Sequence, residues 1–276
     1  MQVFSKKNFV MVILNSELWL HKVRDIEIKH AINLLENLSE LDKFNNSSIL
    51  EIGSGDGYVI EKLATQYPNC DFLGLEVEGS FYENKSKRVL QYDGHNLNFL
   101  NRKFDIIFSL HVVEHIKDID KHAKEIKKIL KPNGIWINIV PSSTWRLFTS
   151  LNYYPAIFFN FFSLLKRYRK LKKESKKKKS KFNKSPFSFF LPQRHGEIGN
   201  FLTEYFYFTI YYWSKRFRKL CLNNDMLLIH SSNIPYFYYS RDLFRNLLND
   251  KVRGILAKFF GGSSIILIAM NKSKDS

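Results

Sequence analysis

Two periodicities alternate along the first half of the chain. From residue 17 to 44 apolar side chains recur at helical spacing, with Leu34, Leu35, Leu38 and Leu41 on one face, until Asn45-Asn46-Ser47-Ser48 breaks the pattern. Ile49 to Ile52 is a short, mostly apolar run that ends in glycines, as a buried strand does. The pattern then predicts a helix from about Tyr58 to Tyr67, a strand over Asp71 to Val77, and another over Phe104 to Leu110. A helix from Asp118 to Leu130 follows. Pro132-Asn133-Gly134 stops it and turns the chain into a strand over Ile135 to Val140. Strands that alternate with helices predict a parallel sheet covered on both faces.

After Pro141 the pattern changes. Residues 142 to 200 contain Pro155, Pro186 and Pro192, many aromatics and a lysine-rich tract. Helical character returns from Leu202 to Leu220, and Met226 to His230 and Ser263 to Ala269 read as two strands, too far apart for a tight hairpin. The expected organisation is an α/β core of residues 1–141 and 201–276, interrupted by an insertion at 142–200.

The segment Ile49-Leu50-Glu51-Ile52-Gly53-Ser54-Gly55-Asp56-Gly57-Tyr58 carries the most chemistry. A strand runs into a glycine-rich turn and then a helix, an arrangement that lets backbone approach a ligand closely. The dinucleotide fingerprint would need glycine where Tyr58 stands, and the lysine of a phosphate-binding P-loop is missing. The spacing is E-x-G-x-G-x-G. With it, over roughly Ile49 to Pro141, the chain resembles the class I S-adenosylmethionine-dependent methyltransferases, chiefly the group of quinone and small-molecule enzymes. Glu51, Gly53, Gly55 and Gly57 match the motif that holds the methionine part of S-adenosyl-L-methionine. Glu76, closing FLGLEV, matches the acid that accepts ribose hydroxyls, and Asp93 in QYDG matches the adenine contact. FDIIFSLHVVEH, with Asp105 and Ser109, and LKPNGIW match the motifs of the fourth and fifth strands. The resemblance implies a Rossmann-like, doubly wound seven-stranded sheet with one late strand antiparallel, and an enzyme that transfers a methyl group.

Methyl transfer from a sulfonium needs alignment and exclusion of water, and a hydroxyl acceptor also benefits from a general base. Reacting groups gather at the carboxyl ends of the strands, which places His111, Glu114 and His115 near the transferred methyl. His111 and His115 are candidate bases. Glu114 and His115 alternatively hold a divalent metal, as some members with an E-x-x-E-H stretch do, although His111 replaces the first acid here; or they only orient the loop. His195, in Pro192-Gln193-Arg194-His195-Gly196-Glu197, is a further candidate, with Glu204 in the next helix. Trp145 and Arg146 are candidate acceptor contacts.

Charge and composition bear on location. The chain of 276 residues has a net charge of +17, with twelve basic residues and one acid between Lys166 and Lys184. The excess therefore belongs mainly to one tract. Two cysteines, Cys70 and Cys221, exclude a disulfide scaffold or a four-cysteine zinc site. Of 43 aromatic residues 26 fall between 142 and 240, and YYPAIFFNFFSLL directly precedes the basic run. That order suits an anionic membrane surface, and RNA is the rival polyanion. The HGEIGN and PSSTWRL stretches are loosely similar to methyltransferases of bacterial cell-surface polysaccharide biosynthesis, which implies a membrane-proximal or lipid-linked glycan, or a small molecule, as acceptor. Phe9 to Leu14 is too short and lacks the cleavage site of a signal peptide, and Ala156 to Leu165 is too short to span a bilayer. A cytoplasmic enzyme, peripheral on the membrane's inner face, is expected.

Overall fold

The computed structural model describes residues 6–38, 46–80, 82, 85–155, 169, 192–239 and 248–272, with side chains from residue 17 onward. Ala156 to Leu165 and nearly all of the lysine-rich tract lie outside the described residues. The chain divides into two compact units: residues 1–140, 210–234 and 264–276 form the first, and residues 141–209 and 235–263 the second. In chain order the elements are α1 (Lys6–Asn37), β1 (Ser48–Ile52), α2 (Tyr58–Gln66), β2 (Asp71–Val77), β3 (Val89–Tyr92), β4 (Phe104–Leu110), α3 (Ile119–Ile129), β5 (Leu130–Pro141), α4 (143–155), α5 (Glu204–Tyr207), α6 (Ile210–Asn223), β6 (Met226–Ile234), α7 (Asp250–Phe260) and β7 (Ser264–Asn271).

The strands form one seven-stranded sheet in the order β3-β2-β1-β4-β5-β7-β6. Strands β1 to β5 pair in parallel, whereas β6 and β7 pair antiparallel, so one of the last two opposes the rest. This is the Rossmann-like doubly wound sheet, with one late strand antiparallel, that the resemblance implies. Its strand order reverses between β1 and β4, and an open α/β sheet binds ligands outside the carboxyl ends at that point.

Burial explains the register. Ile49, Leu50 and Ile52 of β1, Ile106 and Ile107 of β4, and Ile135, Ile137 and Ile139 of β5 are buried, as parallel strands covered on both faces require. Trp136 on β5 packs its ring 5.2 Å from Phe217 of α6, at the centre of the first unit's core. The Pro132-Asn133-Gly134 turn is absorbed into β5. Its register jumps from Phe104↔Leu130 to Ile106↔Ile135, leaving an irregularity in which Asn133 adopts φ 57°. Beyond the sequence pattern, α1 begins at Lys6, and β3 and α7 are additional elements.

In the second unit, Phe237, Tyr239 and Ala257 form a small core with Phe148 and Leu256. No helix among the described residues is long and apolar enough to cross a membrane.

The loop between β4 and α3 carries His111, Glu114 and His115, and it is anchored where Asp118 caps α3 by accepting from the Lys121 amide at 2.9 Å. Replacing Asp118 by Ala removes that acceptor and is expected to cost about 1 kcal/mol, read as a lowered urea midpoint with an unchanged slope.

Candidate functional site

The loop after β1 takes its shape from three glycines. Gly53, Gly55 and Gly57 have φ of 76°, 56° and 84°, a region that side chains rarely adopt. Space reinforces conformation at two of them. A Cβ on Gly53 would lie 2.3 Å from Val112 Cγ2, and one on Gly57 would lie 2.5 Å from Ser86 Cβ. The Gly53 and Ser54 amides both donate to the Leu75 carbonyl, at 2.8 and 2.9 Å, so the turn is pinned across to β2. The Gly55 amide donates to Glu76 Oε2 at 2.6 Å.

These residues open onto a cavity of about 420 Å³ in the first unit, a size that suits a small molecule or cofactor. Glu51, the glycine loop, Glu76, Val77, Tyr92 and Val112 line it from the sheet side; Glu17, Leu20, His21 and Arg24 line it from α1. Glu51 is buried and its Oε2 has no hydrogen-bond partner. Burial pushes its carboxyl up to about 8, against the opposing pull of Ser54 and Arg24. An orphaned buried acid facing a cavity fits a ligand that brings an ammonium group. Glu76, at the strand end beside it, can accept from hydroxyls.

At the carboxyl end of β4 the chain bends through His111, which takes φ 57° and donates its amide to the Ile139 carbonyl at 2.7 Å. His111 Nε2 lies 2.8 Å from Glu27 Oε1. Glu27 also receives the Ser264 hydroxyl at 2.6 Å and pairs with Arg24 at 2.8 Å. Burial opposes its ionisation, yet the charges of His111 and Arg24 and the hydrogen bonds from His111 and Ser264 hold its carboxyl well below the usual carboxylate range. Beyond the ring, Glu114 Oε1 is 3.8 Å from both His111 Nδ1 and His115 Nε2. Two buried carboxylates thus alternate with two imidazoles, and the second, His115, is half-exposed and lines the cavity.

The remaining candidates stand elsewhere. Asp93 is at the surface, where its Oδ1 accepts the His95 and Asn96 amides at 2.8 Å. Ser109 is buried between strands and donates to its register partner Asn138 at 2.8 Å. Neither lines the cavity. His195 belongs to the second unit, where its ring lies 4.5 Å from that of Trp145. There the buried Glu204 accepts the His195 and Gly196 amides at 2.6 and 2.8 Å and pairs with Arg146 Nε at 3.0 Å. Arg146 also donates to the Gln193 carbonyl at 3.0 Å. Its guanidinium therefore holds the PQRHGE loop in place and is taken up by that task.

The cavity-facing side chains of α1 are absent from the sequence reading. His21 stacks on Tyr58 with ring centroids 3.8 Å apart and an interplanar angle of 5°, and its Nε2 lies 3.0 Å from Asp56 Oδ2. Glu27 did leave a signal. It falls at four-residue spacing between Val23 and Ala31, with Leu35 beyond, and so interrupts an otherwise apolar buried stripe.

Residues 50–138 match the protein family described as "Methyltransferase domain". Among curated proteins, the ubiquinone biosynthesis O-methyltransferase of Pelagibacter ubique is 32% identical over 126 residues, covering 42% of this chain and 52% of that protein. The enzyme of the same name from Rickettsia prowazekii is 29% identical over 125 residues, 43% of this chain and 48% of the relative. The chain thus spans about half the length of the curated relatives it matches. Among solved structures, PKMT2 from Rickettsia typhi in complex with AdoHcy aligns at 16% identity over 83% of this chain and 51% of that one, with a TM-score of 0.46. The match falls on β1 to β5, within the seven-stranded sheet.

The two buried acids give stability opposite pH dependences. Glu27 is ionised in the fold, so its contribution is present above its ordinary value of 4.5 and lost as pH falls below it. Glu51 is protonated in the fold, so its contribution is present below 4.5 and lost as pH rises towards about 8. Chemical denaturation across pH is expected to show a shallower acid arm in Glu27→Gln. Glu51→Gln is expected to lose the decline between those two values and to match or exceed the wild type at neutral pH.

Proposed function

We propose that this methyltransferase domain uses S-adenosyl-L-methionine to methylate a hydroxyl of a glycan or small-molecule acceptor that is membrane-proximal or lipid-linked. The observation that carries the reading is Glu51, a buried carboxyl with an orphaned oxygen on the wall of a cofactor-sized cavity. S-adenosyl-L-methionine offers an ammonium to Glu51 and vicinal hydroxyls to Glu76, and the glycine turn leaves its backbone bare on the same wall. The relatives' names specify O-methyltransferases, which favours oxygen as the methylated atom.

When bound, the cofactor supplies an electrophilic methyl on a sulfonium, which departs as a neutral thioether. The protein's own groups do the rest. As the acceptor oxygen gains the methyl it must lose its proton, and His115 is the group we assign to take it. Its half-exposed ring lines the cavity with buried Glu114 behind it, in the order base then orienting carboxylate that serves nucleophile activation elsewhere. His111, fixed by Glu27 on one nitrogen and facing Glu114 on the other, sets that carboxylate in place. On this reading His111 and Glu27 are positioning residues.

Because Glu51 must release its proton to meet an ammonium, cofactor affinity by titration calorimetry is expected to rise with pH, by up to about tenfold per unit below pH ~8. Glu51→Gln abolishes that slope and weakens binding. Gly55→Arg prevents binding, and cofactor binding unchanged by that substitution would sink the assignment. Turnover with labelled cofactor, against soluble phenols, sugars and lipid-linked sugars, identifies the acceptor. With the acceptor found, His115→Ala is expected to lower kcat by about 10²- to 10⁴-fold and to leave cofactor affinity intact.

A further inference from the structure

Helix α1 is held in two unlike ways along its length. From Val23 onward a stripe at four-residue spacing, Val23, Glu27, Ala31 and Leu35, is buried. Within it Glu27 is bonded to His111 at 2.8 Å and to Ser264 at 2.6 Å. Before Val23 the character changes: none of Glu17 to Lys22 is buried. Yet Glu17, Leu20 and His21 form part of the wall of the 420 Å³ cavity. A stretch of helix with no buried side chain thus closes one side of the site.

What secures this stretch is one acid of the glycine loop. Asp56 Oδ2 lies 3.0 Å from His21 Nε2 and 3.8 Å from Lys85 Nζ, and Lys85 reaches on to Glu17 at 3.7 Å. The other oxygen, Oδ1, accepts the Tyr58 amide at 3.2 Å, and the Tyr58 ring lies flat against His21. Asp56 therefore ties the start of α2 and the front of α1 to the turn between them. The ties to α1 are few and wet: the side chains of Lys85 and Glu17 are 57% and 43% exposed. Exposed ion pairs hold weakly, and a segment with few buried contacts opens far more readily than the core it adjoins.

We propose that Glu17 to Lys22 is a strap over the cofactor cavity, pivoting at Val23 and latched to Asp56 by His21, and that cofactor enters and leaves when the latch opens. Glu27 and the buried stripe stay in place as the strap moves, so the imidazoles at the end of β4 keep their geometry during exchange. The inference rests on the reading of the cavity as the site of S-adenosyl-L-methionine, but the opening itself takes place without cofactor.

The test takes two readings on the full chain. Hydrogen exchange without cofactor is expected to show the amides of 17–22 exchanging at least about tenfold faster than those of 27–35. His21→Ala is expected to quicken the first set about fivefold and to leave the second unchanged. Stopped-flow tryptophan fluorescence, to which Trp19 in the strap contributes, then follows the binding of S-adenosyl-L-methionine. A strap that must open lets ligand in faster when its latch is weakened. His21→Ala is therefore expected to raise the association rate about fivefold, and Lys85→Ala, at an exposed position that folding does not depend on, about twofold. A fixed wall behaves otherwise: loss of a wall contact speeds dissociation and leaves association as it was. Association unchanged in both variants overturns the proposal, as does exchange at 17–22 as slow as at 27–35. If the wild type binds no S-adenosyl-L-methionine, the cofactor reading and the strap's role as its gate fall together, whereas binding with unchanged association removes the gate alone.

Discussion

One buried carboxylate fixes the geometry of the first unit at the carboxyl end of β4. Glu27 sits among apolar residues of α1 and is stable as an anion only because three parts of the chain converge on it: Arg24 from its own helix, His111 from the end of β4, and Ser264 from the start of β7. Removing a charge from water is costly unless partners replace the solvent, and here the replacement is complete enough to keep the group ionised. The same contacts set where α1 lies against the strand ends and which way the His111 ring faces. Helix α1 is therefore a wall of the site as well as a cover for the sheet.

The second buried acid has the opposite character. Glu51 is as deeply enclosed as Glu27 but lacks a matching set of donors, and its proton stays on. The two ends of the cavity thus present different chemistry: a settled anion holding the His111 ring, and an unmet acid beside the glycine loop. Environment alone separates two glutamates of identical intrinsic acidity.

The sheet was legible because parallel strands covered on both faces must be written as short, nearly continuous apolar runs. β2 and β4 occupy the spans that their sequences mark, and β1 extends its marked span by only one residue, Ser48. β3 escaped because it is four residues long with two exposed positions, too little for any period. α7 escaped for a physical reason of its own: with arginine inside and phenylalanine outside, its pattern contradicts the rule by which helices are recognised. The glycine spacing located one wall of the cavity, since positive φ and tight packing restrict which residues fit there. It carried no information on α1, whose contributions at Glu17, His21 and Arg24 depend on how a distant helix packs. Asp93 and Ser109 matched family positions by spacing; here Asp93 Oδ1 caps a turn and the Ser109 hydroxyl bonds across to Asn138.

The hydrogen bond from the Gly55 amide to Glu76 has a kinetic side. A flexible strand-end glutamate would sweep many rotamers and would have to be immobilised by each arriving ligand, at about 0.5–1.5 kcal/mol. Moored to the loop, its carboxylate is already still when the ligand arrives. The ordering entropy is met once, during folding, and is not charged again at each binding event, so any ligand of this wall meets a surface that does not need to be rebuilt.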